Sequence, residues 1–419
     1  MNLQQFPIVI IGGGPVGLAA AAQLAQRKLP FRLLEKGRTV GESLRQWAHV
    51  RMFSPWEYNI DRAAEALLVD VGWTSPDRTE LPTGAEMVEQ YLQPLAEHPL
   101  LGPNIVTDSR VVFVQRYGMD KMKTAGRATF PFEIGYERAG ELHRLYASAI
   151  IDATGTWHSP NPAGAGGNPA TGELALADRI AYGVPEVRSR DRQRYAGKRV
   201  AVIGSGHSAI NSILELDRLK QAEPDTAIVW VLRRPTADST FGGGEEDALP
   251  ARGALGTQVR RLIQSGRVQV EAPFRLHTVE KSGERIRLIG LSGHRTAVIG
   301  DVDELVVNTG ARPDFSFLRE VRVAADPALE SVPALAELID PNVHSCGTVR
   351  PHGEAELRQP EPQFYVVGAK SYGRAPTFLM ATGYEQVRSI AAALAGDEEA
   401  ARKVELHLPE TGVCGVPTS

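Results

Sequence analysis

Two glycine-rich turns carry the first chemistry in this chain. The apolar run Ile8 to Ile11 meets Gly12-x-Gly14-x-x-Gly17, and Val200 to Ile203 meets Gly204-x-Gly206 followed by Ala209. In each, a strand is expected to turn tightly into a helix. The first glycine permits the turn and the second lets backbone approach a pyrophosphate. The third, or the small Ala209, lets the helix lie close to the sheet. The helix start offers N–H groups and the positive end of its dipole to phosphates. Two such turns imply two dinucleotides, with electrons passing from one to the other.

The residues at the end of each next strand separate the two sites. Phe31 to Leu34 ends at Glu35, whose carboxylate can accept from both hydroxyls of an adenosine ribose and repels a 2′-phosphate. That site suits FAD or NAD over NADP. Ile228 to Leu232 leads instead into Arg233 and Arg234, two guanidiniums suited to a 2′-phosphate, so NADPH is expected there. The alternative is that both arginines only cover a sheet edge. His207 reads as a polar group at a helix start. Near the C-terminus, Val367, Gly368 and Ala369 end a strand, and a helix is expected to begin near Thr377. Its N-terminus could face the pyrimidine edge of a flavin and stabilise negative charge on the reduced ring. A surface helix packing on the sheet is the competing reading.

The elements that must position these residues repeat. Each half opens with strand, glycine turn and helix, and each reaches an apolar strand ending in Thr-Gly, at Thr154-Gly155 and at Thr309-Gly310. The predicted architecture is an α/β fold of two Rossmann-type three-layer dinucleotide-binding domains, the second inserted in the first. The expected divisions are an FAD-binding part over 1–160, a linker over 161–196, an NADPH-binding domain over 197–315, and a second FAD-binding part with a tail over 316–419. The linker reading rests on the Gly, Pro and Ala content of Asn161 to Gly172 and on the charged run Arg188 to Arg194.

Composition narrows the partners. The chain has 419 residues, room for two or three domains, and a formal charge of −4, which calls for neither nucleic acid nor an anionic membrane. Only Cys346 and Cys414 are present, so no disulfide framework, zinc spacing or redox Cys-x-x-Cys exists. The run Ile8 to Leu24 is broken by glycines and a proline and reads as strand and helix, not as a signal or membrane span. A cytoplasmic location is expected, with a homo-oligomer left open.

The layout resembles the two-dinucleotide-binding flavoproteins, and most closely the flavin-containing, class B-like monooxygenases. The residues that carry this are Gly12-x-Gly14-x-x-Gly17 with Glu35, Trp47, the stretch Asp152 to Pro160 containing Gly155, and the stretch Gly197 to Ala209. The segment Gly368 to Val387 resembles flavin monooxygenases of bacterial arsenic-resistance operons. The resemblance implies that Trp47, with Arg51 and Trp56, wraps the flavin ring. The Phe-x-Gly-x-x-x-His signature of class B enzymes is absent, since Ala181-Tyr182-Gly183 precedes Val187. That puts Baeyer–Villiger chemistry in doubt and touches heteroatom oxygenation less.

The implied reaction consumes NADPH and molecular oxygen. A hydride reduces FAD, oxygen forms a peroxide at the flavin C4a carbon, and a soft sulfur, nitrogen or trivalent arsenic in a small-molecule substrate takes the distal oxygen. No metal is required. Cys346 and Arg350 are weak candidates for the catalytic space, with His352 nearby, because thiolates suit arsenic(III). A buried apolar cysteine and an incidental tail cysteine is the plainer reading. The rival functions are a flavin reductase that passes electrons to a protein or quinone, and a redox-sensing flavoprotein.

Overall fold

A computed structural model describes residues 3–238, 241, 249–342, 349–376 and 378–406. In chain order come β1 (Ile8–Ile11), β2 (Phe31–Leu34), β3 (Ile105–Val106), β4 (Arg110–Arg116), β5 (Phe132–Arg138), β6 (Glu141–Ala147) and β7 (Ala149–Asp152). Next are β8 (Ile180–Tyr182), β9 (Arg199–Ile203), β10 (Ala227–Val231) and β11 (Val268–Glu271). Then come the meander β12 (Arg275–Ser282), β13 (Arg285–Ser292) and β14 (Arg295–Val302), and finally β15 (Glu304–Val307) and β16 (Phe364–Val366). Two compact units result. One takes the chain as far as Trp157 and resumes at Arg312; the other runs from His158 to Ala311.

The first unit is built on a parallel sheet in the order β16-β7-β1-β2-β3. Its central strands are buried along their whole length, as near-continuous Ile, Val and Leu runs require when helices cover both faces. Helix Pro15–Gln26 comes directly after the β1 turn, and its Ala19 to Ala22 are fully buried, which lets it lie close to the sheet. Register decides what meets at the strand ends. Ile11 pairs with both Leu34 and Asp152, and Asp152 pairs with Val366. Gly12, Glu35, Ala153 and Val367 therefore leave the sheet along one edge, the carboxyl edge where open α/β sheets bind ligands.

The second unit repeats the plan with the order β11-β10-β9-β15-β8, again parallel. Ile203 is level with Val231 and Val307, so Gly204, Leu232 and Asn308 emerge together. Helix His207–Ala222 starts from the glycine turn. The antiparallel sheets β4-β5-β6 and β12-β13-β14 belong to the first and second units respectively.

Two expectations differ from what is observed. Residues 161–196, read as a linker, supply β8, which pairs in parallel with β15 at the sheet edge. Their glycine-rich start is held by the buried carboxylate of Glu173, a local anchor that composition does not reveal. The helix expected to begin near Thr377 spans Met380–Leu394 and is followed by a further short helix, Glu398–Arg402; Thr377 itself lies outside the described residues. Among the described residues, no helix is long and apolar enough to cross a membrane.

Candidate functional site

The first cradle is a set of close backbone approaches. Gly12 sits at φ +107°, and a Cβ there would stand 2.7 Å from the Ala153 carbonyl oxygen. A Cβ on Gly17 would stand 1.9 Å from the Gly12 carbonyl oxygen. These two glycines are therefore demanded by the fold itself. Gly14 is different: a Cβ there would meet nothing within 4 Å. Its bareness leaves open space at the start of helix Pro15–Gln26, as approach by a phosphate group requires. Gly155, at φ +66°, is equally open.

Glu35 is buried and pre-set. Its Oε2 accepts from Gly13 N at 2.6 Å and its Oε1 from Gly37 N at 2.6 Å. Each carboxylate oxygen can accept twice, so both retain capacity for ribose hydroxyls. Trp47 is half-buried, and a Cβ added at Gly84 would stand only 2.9 Å from its ring atom Cε3, so that glycine lets the ring pack close. Its ring lies 6.4 Å from that of Trp157, whose Nε1 donates to Gln46 Oε1 at 2.7 Å. Arg51 is exposed, reaches the Leu81 carbonyl, and stands 3.6 Å from Glu86. Trp56 is buried in the core, which places it away from any role as a ring-contacting surface.

The returning chain closes on the same edge. Gly368 (φ +67°) and Gly383 both lie close against Val16: a Cβ added at each would stand 3.3 and 2.6 Å from its Cγ2. The first turns of helices Pro15–Gln26 and Met380–Leu394 are thus neighbours. Gln386 ties the region together. Its Oε1 accepts from Gly368 N at 2.7 Å, and its Nε2 donates to Ser371 Oγ at 2.9 Å and to His352 Nε2 at 2.8 Å. Accepting at Nε2 leaves the His352 proton on Nδ1, which faces the Arg350 carbonyl at 3.3 Å. Burial pushes His352 down to about 4, so it is neutral. Enclosed among these partners, it is a structural anchor. Arg350 extends outward, 3.6 Å from Glu356 and largely exposed. Cys346 and Cys414 lie outside the described residues.

Sequence reasoning missed Lys370. This lysine is fully buried with its Nζ 2.7 Å from Asp152 Oδ2, 3.0 Å from Thr154 Oγ1 and 2.6 Å from the Asp314 carbonyl. The rings of Phe315 and Phe317 flank it. Asp152 Oδ1 in turn accepts from Thr154 N and Oγ1. The ion pair therefore pins the turn that leads into Gly155. One signal was available: Asp152 ends a wholly apolar strand and needed a buried partner.

The second cradle has the same geometry. Gly204, at φ +132°, would bring a Cβ 2.1 Å from the Asn308 carbonyl oxygen, whereas Gly206 meets nothing within 4 Å. Ala209 is fully buried in the third position, and His207 opens the helix. Trp230 Nε1 donates to the Gly204 carbonyl at 2.7 Å, fixing the turn from the neighbouring strand; an aromatic in a strand reads from sequence as core alone. Arg233 and Arg234 are exposed just beyond β10, and Arg233 Nη1 donates to the Ala165 carbonyl at 3.0 Å.

The family model described as pyridine nucleotide-disulphide oxidoreductase matches residues 9–338, a span that takes in both cradles. A ferredoxin–NADP reductase of Bacillus velezensis is 26% identical over 325 residues, covering 76% of this chain and 76% of its own. Among solved structures, a bacillithiol disulfide reductase from Bacillus cereus gives a TM-score of 0.68 at 20% identity, covering 93% of this chain and 99% of its own. The FAD-bound cadaverine monooxygenase of desferrioxamine biosynthesis from Erwinia amylovora gives 0.65 at 13% identity, covering 97% and 99%. At such identities the structural likeness speaks for fold alone.

Proposed function

Because the chain belongs to the pyridine nucleotide-disulphide oxidoreductase family, we propose that this oxidoreductase is an FAD- and NADPH-dependent monooxygenase that oxygenates a soft heteroatom: sulfur, nitrogen or trivalent arsenic. FAD belongs in the first cradle. The backbone at Gly14 receives its pyrophosphate, and Glu35 its ribose hydroxyls. The positive end of helix Met380–Leu394, beside Val16, favours negative charge on the reduced ring. NADPH belongs in the second, with Gly206 at the pyrophosphate and Arg233 and Arg234 at the 2′-phosphate. Bound flavin supplies the two-electron and oxygen chemistry; the protein holds the partners and keeps water away.

One observation carries the reading. Two cradles with open central glycines and opposite ribose chemistry, an acid in one and arginines in the other, occur in a chain without Cys-x-x-Cys. Electrons then have a route in and no dithiol to receive them. The test is NADPH oxidation by the FAD-loaded protein under ¹⁸O₂, with sulfides, amines, thiols and trivalent arsenicals. Substrate-dependent turnover with label in the product supports the proposal; turnover without label in any product refutes it. The likeness to ferredoxin–NADP reductase favours a second reading, electron delivery to a protein or quinone. That reading expects fast reduction of ferredoxin or quinone and no labelled product.

A further inference from the structure

The loop read from composition as a spacer is a built piece of the second unit. Glu173, 1% exposed, closes it like a clasp: Oε1 accepts from Ala163 N at 2.8 Å and Oε2 from Ala170 N at 2.7 Å. Tyr182 at the end of β8 donates its hydroxyl to Oε1 at 2.6 Å. Burial and the neighbouring carboxylate push this phenol up from its ordinary value, so it remains a donor. Inside the clasp, a Cβ on Gly164 would stand 2.1 Å from the Asn168 carbonyl oxygen, so the turn is too tight for a side chain. Ala165 is fixed at both polar ends: its N–H donates to the Leu276 carbonyl at 2.9 Å, and its carbonyl accepts from Arg233 Nη1 at 3.0 Å.

We propose that Glu173 and Tyr182 are positioning residues for nicotinamide-nucleotide specificity: they hold the 163–170 loop so that the Ala165 carbonyl orients Arg233 toward the 2′-phosphate. The inference rests on the NADPH reading of the second cradle. An exposed arginine has many rotamers, and freezing them at the moment of binding weakens binding. A carbonyl that engages one of its five donors fixes the guanidinium plane beforehand. The clasp uses both oxygens of one carboxylate. In Glu173→Gln the amide nitrogen must face a backbone N–H at one end of the loop, and that end is released. NADH has no 2′-phosphate and gains nothing from an oriented Arg233. The clasp therefore acts on one nucleotide and not the other.

The test is steady-state kinetics of the full-length, FAD-loaded protein with NADPH and NADH. The variants are Glu173→Gln, Tyr182→Phe, Arg233→Ala, Glu173→Gln with Arg233→Ala, and Arg233→Ala with Arg234→Ala. Glu173→Gln is expected to raise the KM for NADPH by about threefold to tenfold, with kcat and the KM for NADH unchanged. Tyr182→Phe shifts the same ratio in the same direction by less. In the double variant the clasp mutation adds nothing to Arg233→Ala, because the two act through one guanidinium. Equal rises in both KM values, or full additivity, overturn the proposal. A purely structural clasp would lower the melting temperature and leave the NADPH/NADH ratio alone. Should Glu173→Gln fail to fold, an unchanged ratio in Tyr182→Phe overturns it. If the paired arginine variant keeps the wild-type NADPH preference, the nucleotide reading itself fails and takes this inference with it. If the arginines matter and the clasp variants do not, only the inference fails.

Discussion

Replacing Lys370 by methionine removes one charge of a fully buried pair while keeping most of the side chain's volume. Three donors are lost at once: to Asp152 at 2.7 Å, to Thr154 Oγ1 at 3.0 Å and to the Asp314 carbonyl at 2.6 Å. Two ring faces lose a cation whose Nζ stands 4.9 and 4.7 Å from their centroids. The dominant cost is the carboxylate left behind without its cation. Breaking a buried pair from one side typically costs about 3–5 kcal/mol, whereas replacing both partners with neutral groups costs far less. At about 2–4 °C per kcal/mol for a unit of this size, Lys370→Met should melt about 6–20 °C lower. Asp152→Asn with Lys370→Met should recover most of that loss. The assay is thermal and urea unfolding observed by far-ultraviolet circular dichroism, with flavin release recorded in parallel. Release should come earlier in the single variant, because the Asp152–Thr154 turn leads into Gly155 and its Ala153 carbonyl backs Gly12. If the double variant is no more stable than Lys370→Met, the stranded charge is not the cause and the reasoning fails.

Arg233→Ala with Arg234→Ala should lower kcat/KM for NADPH by at least about tenfold to a hundredfold, which is the loss of a single charged hydrogen bond at about 1.5–3 kcal/mol, and leave NADH little changed. Gly14→Ala should fold with wild-type stability yet bind FAD more weakly by titration, whereas Gly17→Ala should fold poorly, because its Cβ would stand 1.9 Å from the Gly12 carbonyl oxygen. Asp61 caps helix Arg62–Asp70 through Ala64 N, meets Gln23 and Tyr91, and is pushed by burial up to about 6. A raised folded value means its contribution is full below its unfolded pKa and is lost as pH rises from about 4 through about 6, a difference of about 3 kcal/mol complete by about pH 7, so Asp61→Asn should gain on wild type in unfolding free energy mainly between about pH 4 and 6. His352, pushed down to about 4, works the other way: the unfolded chain takes a proton near pH 6.5 that the fold refuses, so stability falls as pH drops toward 4, and His352→Gln should flatten that limb of the same titration.

The glycines could be read from sequence because each answers a requirement local to one strand, turn and helix. A chain that leaves a buried strand, reverses and starts a helix within a few residues has few alternatives to Gly at 12, 17 and 204. Glu35 and the Arg233-Arg234 pair could be read for the same reason, since their place at a strand end needs short spacing alone. Lys370 could not, because it meets its partner through the fold: it bonds Asp152, which is 218 positions away in sequence. Glu173 could not for another reason: Ala163, Ala170 and Tyr182 lie only 10, 3 and 9 positions from it, yet no residue type or spacing marks which carboxylate turns inward to close a loop. Lys370 directly follows the expected strand end Val367-Gly368-Ala369, and its partner comes into view only when β16 is laid beside β7. The glycine-rich start of the presumed linker misled for a related reason. Glycine and proline mark where regular structure stops, and say nothing about whether a carboxylate waits to close the loop.

The same distinction bears on function. Local requirements specify that dinucleotides bind, and the glycine turns meet them in both units. How firmly each nucleotide binds should depend further on groups that support the cradles from outside the motifs: Trp230 on the Gly204 carbonyl, Gln386 on Gly368, Lys370 on Asp152 and Thr154 ahead of Gly155, and the Ala165 carbonyl on Arg233. A turn of glycines is mobile in the unfolded chain and must be made stiff to hold a phosphate. In both units that stiffness comes from side chains reaching the turn's backbone or the strand end behind it. Substitutions at these supporting positions should therefore change nucleotide affinity while leaving every glycine, acid and arginine of the motifs in place. Binding measured by titration, set beside unfolding free energy for each variant, separates a loosened cradle from a destabilised fold.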